Sequence, residues 1–95
     1  TAVLIDVREP FEWNDGHLKA ATLVPLSDLR EAKDDAEFAK KLAKKLPAKK
    51  IIYLHCRSGG RVLVAAPILR AMKFDVRPLK AGYSTLVKAG FEKAK

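Results

Sequence analysis

The stretch Ile51-Ile52-Tyr53-Leu54-His55-Cys56-Arg57-Ser58-Gly59-Gly60-Arg61-Val62-Leu63-Val64-Ala65-Ala66 decides how this chain is read. Its first four residues are β-branched, aromatic or aliphatic, and they predict a strand. Its last five predict the start of a helix. Between them lies a small, glycine-bearing loop headed by Cys56, the only cysteine of the chain. A thiol between a strand end and a helix start sees partial positive charge from backbone N–H groups. Arg57 and Arg61 flank it. Both effects favour the thiolate, the nucleophilic form of cysteine.

The other elements fall around this stretch. Val3-Leu4-Ile5-Asp6-Val7 reads as a fully buried parallel strand. Pro10 suits a first helical turn, so Phe11-Glu12-Trp13 predicts a short helix closed by Asp15-Gly16. Ala21 to Val24 gives a short strand ended by Pro25. Ser27 or Asp28 then caps a helix in which Leu29, Ala32, Ala36, Ala39, Ala43 and Leu46 recur at helical spacing, with Phe38 and Leu42 widening the face. We read this helix as one element running to Pro47. Its acids precede its bases, which complements the helix dipole. A mostly apolar helix from about Gly60 to Met72 predicts deep burial, with Pro67 unexplained inside it. Phe74 to Leu79 gives a fourth strand, and Tyr83 to Gly90 a last short helix. Strands alternating with helices imply a parallel α/β sheet.

Composition narrows the function. The 95 residues predict one domain, 1–95, of which 48% are apolar, and the net charge is +8. The longest apolar runs are about five residues, far short of a membrane span. A single cysteine permits no internal disulfide and no multi-cysteine metal set, and we expect no metal and no cofactor. The lysines read as solvated helix faces, and no aromatic–basic interleaving points to nucleic acid. A lone thiol fits a cytoplasmic protein, although export of a longer precursor to the periplasm stays open. The chain opens at Thr1 and enters a strand at once, so we expect a further N-terminal element upstream.

In parallel α/β sheets, ligands bind beyond the C-terminal strand ends. Asp6 to Glu9, His55 to Arg61 and Lys80 to Gly82 should meet there. Ser58-Gly59-Gly60 permits unusual backbone angles, so its N–H groups can form an anion-binding nest around the Cys56 sulfur. Enzymes that hold phosphate over a cysteine, such as tyrosine phosphatases, use a Cys-x5-Arg loop. Here that position is Val62, and the arginine comes one residue early at Arg61. The shorter cradle suits a sulfur atom better than a tetrahedral phosphate. We read His17 and His55 as satisfied by local hydrogen bonds, Asp6 and Arg8 as an ion pair, Glu9 and Glu12 as first-turn acids, and Trp13 as core.

Three segments together resemble the rhodanese-like domains. They are Leu4-Ile5-Asp6-Val7-Arg8-Glu9-Pro10 with Glu12-Trp13 and Gly16-His17, the loop Cys56 to Arg61, and Leu79-Lys80-Ala81-Gly82-Tyr83. The resemblance implies a three-layer α/β fold with a central parallel sheet of four to five strands and helices on both faces. We count four strands. The family's N-terminal strand and helix would then lie upstream. It implies sulfurtransferase chemistry, with Cys56 as nucleophile and persulfide carrier, and the N–H groups of Arg57, Ser58, Gly59, Gly60 and Arg61 as cradle. Arg57 and Arg61 would attract an anionic donor such as thiosulfate, and Asp6 and Arg8 would brace the site. The acceptor would be cyanide, a thiol or an acceptor protein, with no nucleic acid or membrane involved. It places Tyr83 near the mouth. The departures are Lys19-Ala20-Ala21 where Gly-Ala is usual, Ala81 for a glycine, Leu86 for a tryptophan, and Val62 for Ser or Thr. Two other classes remain open: a non-catalytic, regulatory or relay module of a larger protein, and a phosphatase or arsenate reductase.

Overall fold

A computed structural model describes residues 2–94. The elements run β1 (Ala2–Asp6), α1 (Pro10–Asp15), β2 (Ala21–Leu23), α2 (Leu26–Asp34), α3 (Ala36–Lys44), β3 (Ile51–His55), α4 (Arg61–Ala71), β4 (Asp75–Pro78) and α5 (Tyr83–Lys88). The four strands form one parallel sheet in the order β2-β1-β3-β4. The family resemblance allowed a fifth strand; the described residues contain four.

Register divides the side chains between two faces. Val3 pairs with Ile52 and Ile5 with Leu54, while Ile52 pairs with Val76. Because strand residues alternate, these five share one face, which α2, α3 and α4 cover. Ile5, Ile52, Leu54, Leu29 and Leu69 are essentially inaccessible there. Each such side chain contributes roughly 1.5–3 kcal/mol through burial. Leu4 pairs with Tyr53 and Asp6 with His55, so these four face the other way. On that side Leu18 and Leu86 are buried, and Tyr83 of α5 stacks on His55 with ring centroids 6.5 Å apart.

Several local expectations are corrected. The long helix predicted from Leu29 to Leu46 is two helices. Asp35 takes an extended backbone (φ −134°, ψ 104°) and its carboxylate accepts the N–H groups of Glu37 and Phe38. A competing side-chain cap of this kind stops one helix and starts the next. Ser27 does not cap α2, whose N-cap is Pro25. Its hydroxyl donates to Glu9 Oε1 at 2.6 Å instead. Trp13 lies outside the core, stacked on His17 at 3.6 Å between centroids. Helix α4 buries Val62, Ala65, Ala66, Ile68 and Leu69, yet Leu63 and Val64 on its outer side are exposed. The helix passes through Pro67 without ending. No helix among the described residues is long and apolar enough to cross a membrane.

Candidate active site

Cys56 follows directly from β3, and α4 begins five residues later. The intervening loop folds back so that the Gly59 N–H donates to Cys56 Sγ at 3.1 Å. Gly59 makes this possible with φ +87°, a backbone that only glycine adopts at low cost. A hydrogen bond to sulfur and the N-terminus of an eleven-residue helix both stabilise negative charge on the sulfur. Cys56 itself is 1% exposed and belongs to the apolar core. The sulfur therefore forms the floor of the loop and does not project from it. Of the five residues expected to cradle it, only Gly59 donates to it here.

A second segment clasps the loop from above. The Tyr83 N–H donates to the Cys56 carbonyl at 2.9 Å. Gly82 lies so close to the loop that a methyl group on it would sit 1.9 Å from the Arg57 carbonyl oxygen. A methyl on Gly59 would meet the Lys80 carbonyl at 2.6 Å. The backbone approach between residues 57–59 and 80–82 thus depends on these two glycines.

Beneath the clasp lies a polar assembly. The Asp6 carboxylate accepts hydrogen bonds from the backbone N–H, Nε and Nη2 of Arg8 at 2.9–3.1 Å. Arg8 also donates to the Gly16 carbonyl at 2.7 Å, and its guanidinium lies 4.3 Å above the Tyr83 ring. A cation over an aromatic face is attracted by the ring quadrupole. Asp6, Arg8 and Tyr83 therefore form one connected unit, tied to Cys56 through the Tyr83 N–H.

His55 meets its expectation of a local hydrogen bond at Nδ1 only. It is fully buried, with Nδ1 3.4 Å from the Cys56 carbonyl and Nε2 3.6 Å from Asp6 Oδ2. Nε2 has no hydrogen-bond partner, the one buried side-chain nitrogen or oxygen so placed among the described residues. Burial pushes its pKa below the ordinary value, against the opposing pull of Asp6. His17 does satisfy the expectation, with Nδ1 3.0 Å from the Trp13 carbonyl.

Arg61 also differs. Its guanidinium forks onto the Glu12 carboxylate, with Nη1 on Oε1 and Nη2 on Oε2 at 2.7 Å. Glu12 additionally accepts the Glu9 N–H at 3.0 Å. The Arg61 contact holds the Glu12 carboxyl at about 2, and in turn raises the arginine. The pair joins the first turns of α1 and α4. Arg61 is consequently a strut of the loop with its charge already answered. Arg57 is exposed and enters no salt bridge of the described residues. It faces a cavity of about 520 Å³ whose walls include Arg8, Glu12, Gly16 and Tyr83. Sequence reasoning missed the Glu12–Arg61 contact, which spans 49 residues. The only signal was opposite charge at two helix starts that follow adjacent central strands at the C-terminal end of the sheet. No set of three metal-ligating side chains gathers among the described residues.

Known proteins resemble this chain in sequence and in fold. The chain is 38% identical over 83 residues to YqhL, an uncharacterised protein of Bacillus subtilis, covering 86% of this chain. It spans little more than half the length of the first curated relatives it matches, 58% in the case of YqhL. Among solved structures, human single-domain sulfurtransferase TSTD1 aligns at TM-score 0.71 and 27% identity, covering 92% of this chain and 81% of that one. Reduced CoADR-RHD of Bacillus anthracis aligns at TM-score 0.72 and 31% identity, covering 96% of this chain and 15% of that one. The family model for the rhodanese-like domain matches residues 1–89. With the parallel sheet, the Cys56 loop and the Gly82 clasp in place, the chain belongs to the rhodanese-like domain family.

Proposed function

We propose that this protein is a sulfurtransferase that carries sulfane sulfur as a persulfide on Cys56. The observation that carries the reading is the Cys56 loop, in which the sulfur heads a six-residue turn and accepts the Gly59 N–H at the start of α4. In the first half-reaction the Cys56 thiolate attacks the outer sulfur of a donor such as thiosulfate. The donor's S–S bond breaks, and sulfite leaves with the bonding pair. In the second, cyanide or a thiolate attacks the outer sulfur of the persulfide, and the bonding pair returns to Cys56 Sγ. Atoms and charge balance in each half without an external oxidant.

The protein's own groups have separate tasks. Arg57 attracts the anionic donor from the mouth of the cavity. The Gly59 N–H holds charge on the sulfur as it leaves or receives electrons, an interaction worth about 1.5–3 kcal/mol for a charged partner. Asp6, Arg8 and Tyr83 keep the loop in register. The phosphatase reading is disfavoured on two grounds, the short Cys-x4-Arg loop and the engagement of Arg61 by Glu12.

Intact-mass measurement after incubation with thiosulfate, then cyanide, tests the proposal. One sulfur atom should be gained and then released as thiocyanate, and Cys56→Ser should gain none while remaining folded. Sulfur uptake by Cys56→Ser, or none by the native chain with thiosulfate or polysulfide, would overturn it.

A further inference from the structure

Two shallow cavities lie on either side of the Cys56 loop. The one of about 520 Å³ is reached past Arg57, and Phe11 stands at its edge. The other, of about 340 Å³, is lined by Ser58, Gly59, Val62, Leu63, Pro78, Leu79 and Lys80. The loop is the ridge between them. Phe11 is 74% exposed and Leu63 67%, the two most exposed large apolar side chains described. Both are set beside the loop by the same contact, because Phe11 precedes Glu12 and Leu63 follows Arg61 by two residues. Large apolar side chains held in water on both rims of a reactive loop mark an interaction site rather than a small-molecule pocket.

Each rim carries an exposed cation, Arg57 on the first and Lys80 on the second, and the first also carries the exposed carboxylate of Asp15 beside Phe11. Arg57 and Lys80 are exposed, and no salt bridge of the described residues includes either. The chain as a whole carries +8. Pro67 supplies a further element. It has no N–H to give to the Leu63 carbonyl one turn earlier, so the outer side of α4 keeps a backbone acceptor next to the exposed Leu63. An extended peptide offers what this ridge lacks: apolar side chains, carboxylates and backbone N–H groups.

We propose that the Cys56 loop passes its sulfur to a cysteine on an extended, acid-rich segment of another protein, which lies across the loop with apolar side chains against Phe11 and Leu63. This partner assignment rests on the sulfurtransferase reading above. In the transfer, the partner's thiolate attacks the outer sulfur of the Cys56 persulfide. The bond to Sγ breaks with its electron pair returning to Cys56, and the partner leaves as the persulfide. Carboxylates on the segment meet Arg57 and Lys80, which accelerates encounter at low ionic strength.

The test uses the 95-residue chain, loaded with sulfur and checked by intact mass, and three synthetic peptides with one central cysteine. The first carries glutamates, with Leu and Phe flanking the cysteine. The second replaces Leu and Phe by Ser, and the third replaces the glutamates by Lys. The first peptide should accept sulfur at least tenfold faster than either of the others. Leu63→Ser should reduce that advantage to under threefold while leaving the cyanide rate within twofold of native, and Phe11→Ser should reduce it likewise. Equal rates for the three peptides would overturn the proposal. So would equal competition by a single-stranded oligonucleotide of matching charge, which would assign the rims to nucleic acid. A chain that loads no sulfur sinks the sulfurtransferase reading separately. Docking is then judged with the first peptide bearing Ser for Cys, by amide NMR shifts of the unloaded chain. Shifts gathered at Arg57, Leu63, Val64 and Lys80 support the surface, and their absence overturns it.

Discussion

Replacing Glu12 with glutamine isolates the strut between α1 and α4. Glu12→Gln keeps the shape of the side chain and removes the charge that Arg61 grips. The folded protein holds this carboxyl at about 2 against an ordinary 4.5. At ~1.4 kcal/mol per pKa unit, that gap corresponds to about 3 kcal/mol without screening. The Arg61 side chain is 31% exposed and that of Glu12 13%, so water screens the pair and about 1–2 kcal/mol is the expected loss. The sign follows from a depressed folded-state pKa. The contribution is fully present above about 4.5 and is lost as pH falls through about 2. Urea denaturation of both proteins should therefore show a gap of about 1–2 kcal/mol near neutral pH that closes toward pH 2. A gap unchanged between neutral pH and about pH 3 would refute the charge argument. Sulfur loading adds a second readout. If Arg61 captured anions, freeing it would speed thiosulfate uptake. As a strut, its release loosens the loop, and we expect loading to slow about tenfold.

Three further outcomes are expected. Gly82→Ala puts a methyl against the Arg57 carbonyl and should cost about 3 kcal/mol in thermal denaturation, with loss of sulfur loading; a variant of native stability would show that the clasp yields freely. His55, buried with a lowered pKa, contributes stability that is present above about pH 6.5 and lost as the unfolded chain takes up a proton below it. Its share of the pH slope is at most ~1.4 kcal/mol per pH unit, and His55→Asn should flatten the stability curve between about pH 7 and 5; an unchanged slope would assign that proton elsewhere. Asp35→Ala removes the cap shared by Glu37 and Phe38 and should lower stability by about 1 kcal/mol, read by urea midpoint, with no effect on sulfur loading; an unchanged midpoint would show that the α2–α3 break needs no cap.

The sheet was legible in the sequence because its signals are local. Ile51 to Leu54 and Val3 to Val7 are continuous apolar runs, and the residues between strands alternate into helices. The Cys56 loop was legible for the same reason, since strand, glycines and helix are contiguous. What escaped was decided across distance or by competition. Asp35 looks like one more acid in a helical run, and its choice to cap shows only when the backbone turns at it. Glu12 and Arg61 are each explained locally, as first-turn acid and loop cation, so nothing in either neighbourhood announces the other. His55 reads as an ordinary polar residue at a strand end; its unpartnered Nε2 follows from being paired in register with Asp6 and roofed by Tyr83. Pro67 violates helix propensity, and its position makes sense once Leu63 is seen to be exposed.

The clasp formed by Lys80, Gly82 and Tyr83 sets an order on events during synthesis. The cysteine leaves the ribosome some 25 residues before the segment that seats its loop. Until that segment emerges, the Cys56 carbonyl lacks the Tyr83 N–H and Gly59 has no Lys80 carbonyl against it. The nascent chain thus carries Cys56 well before it carries the residues that seat the loop around it.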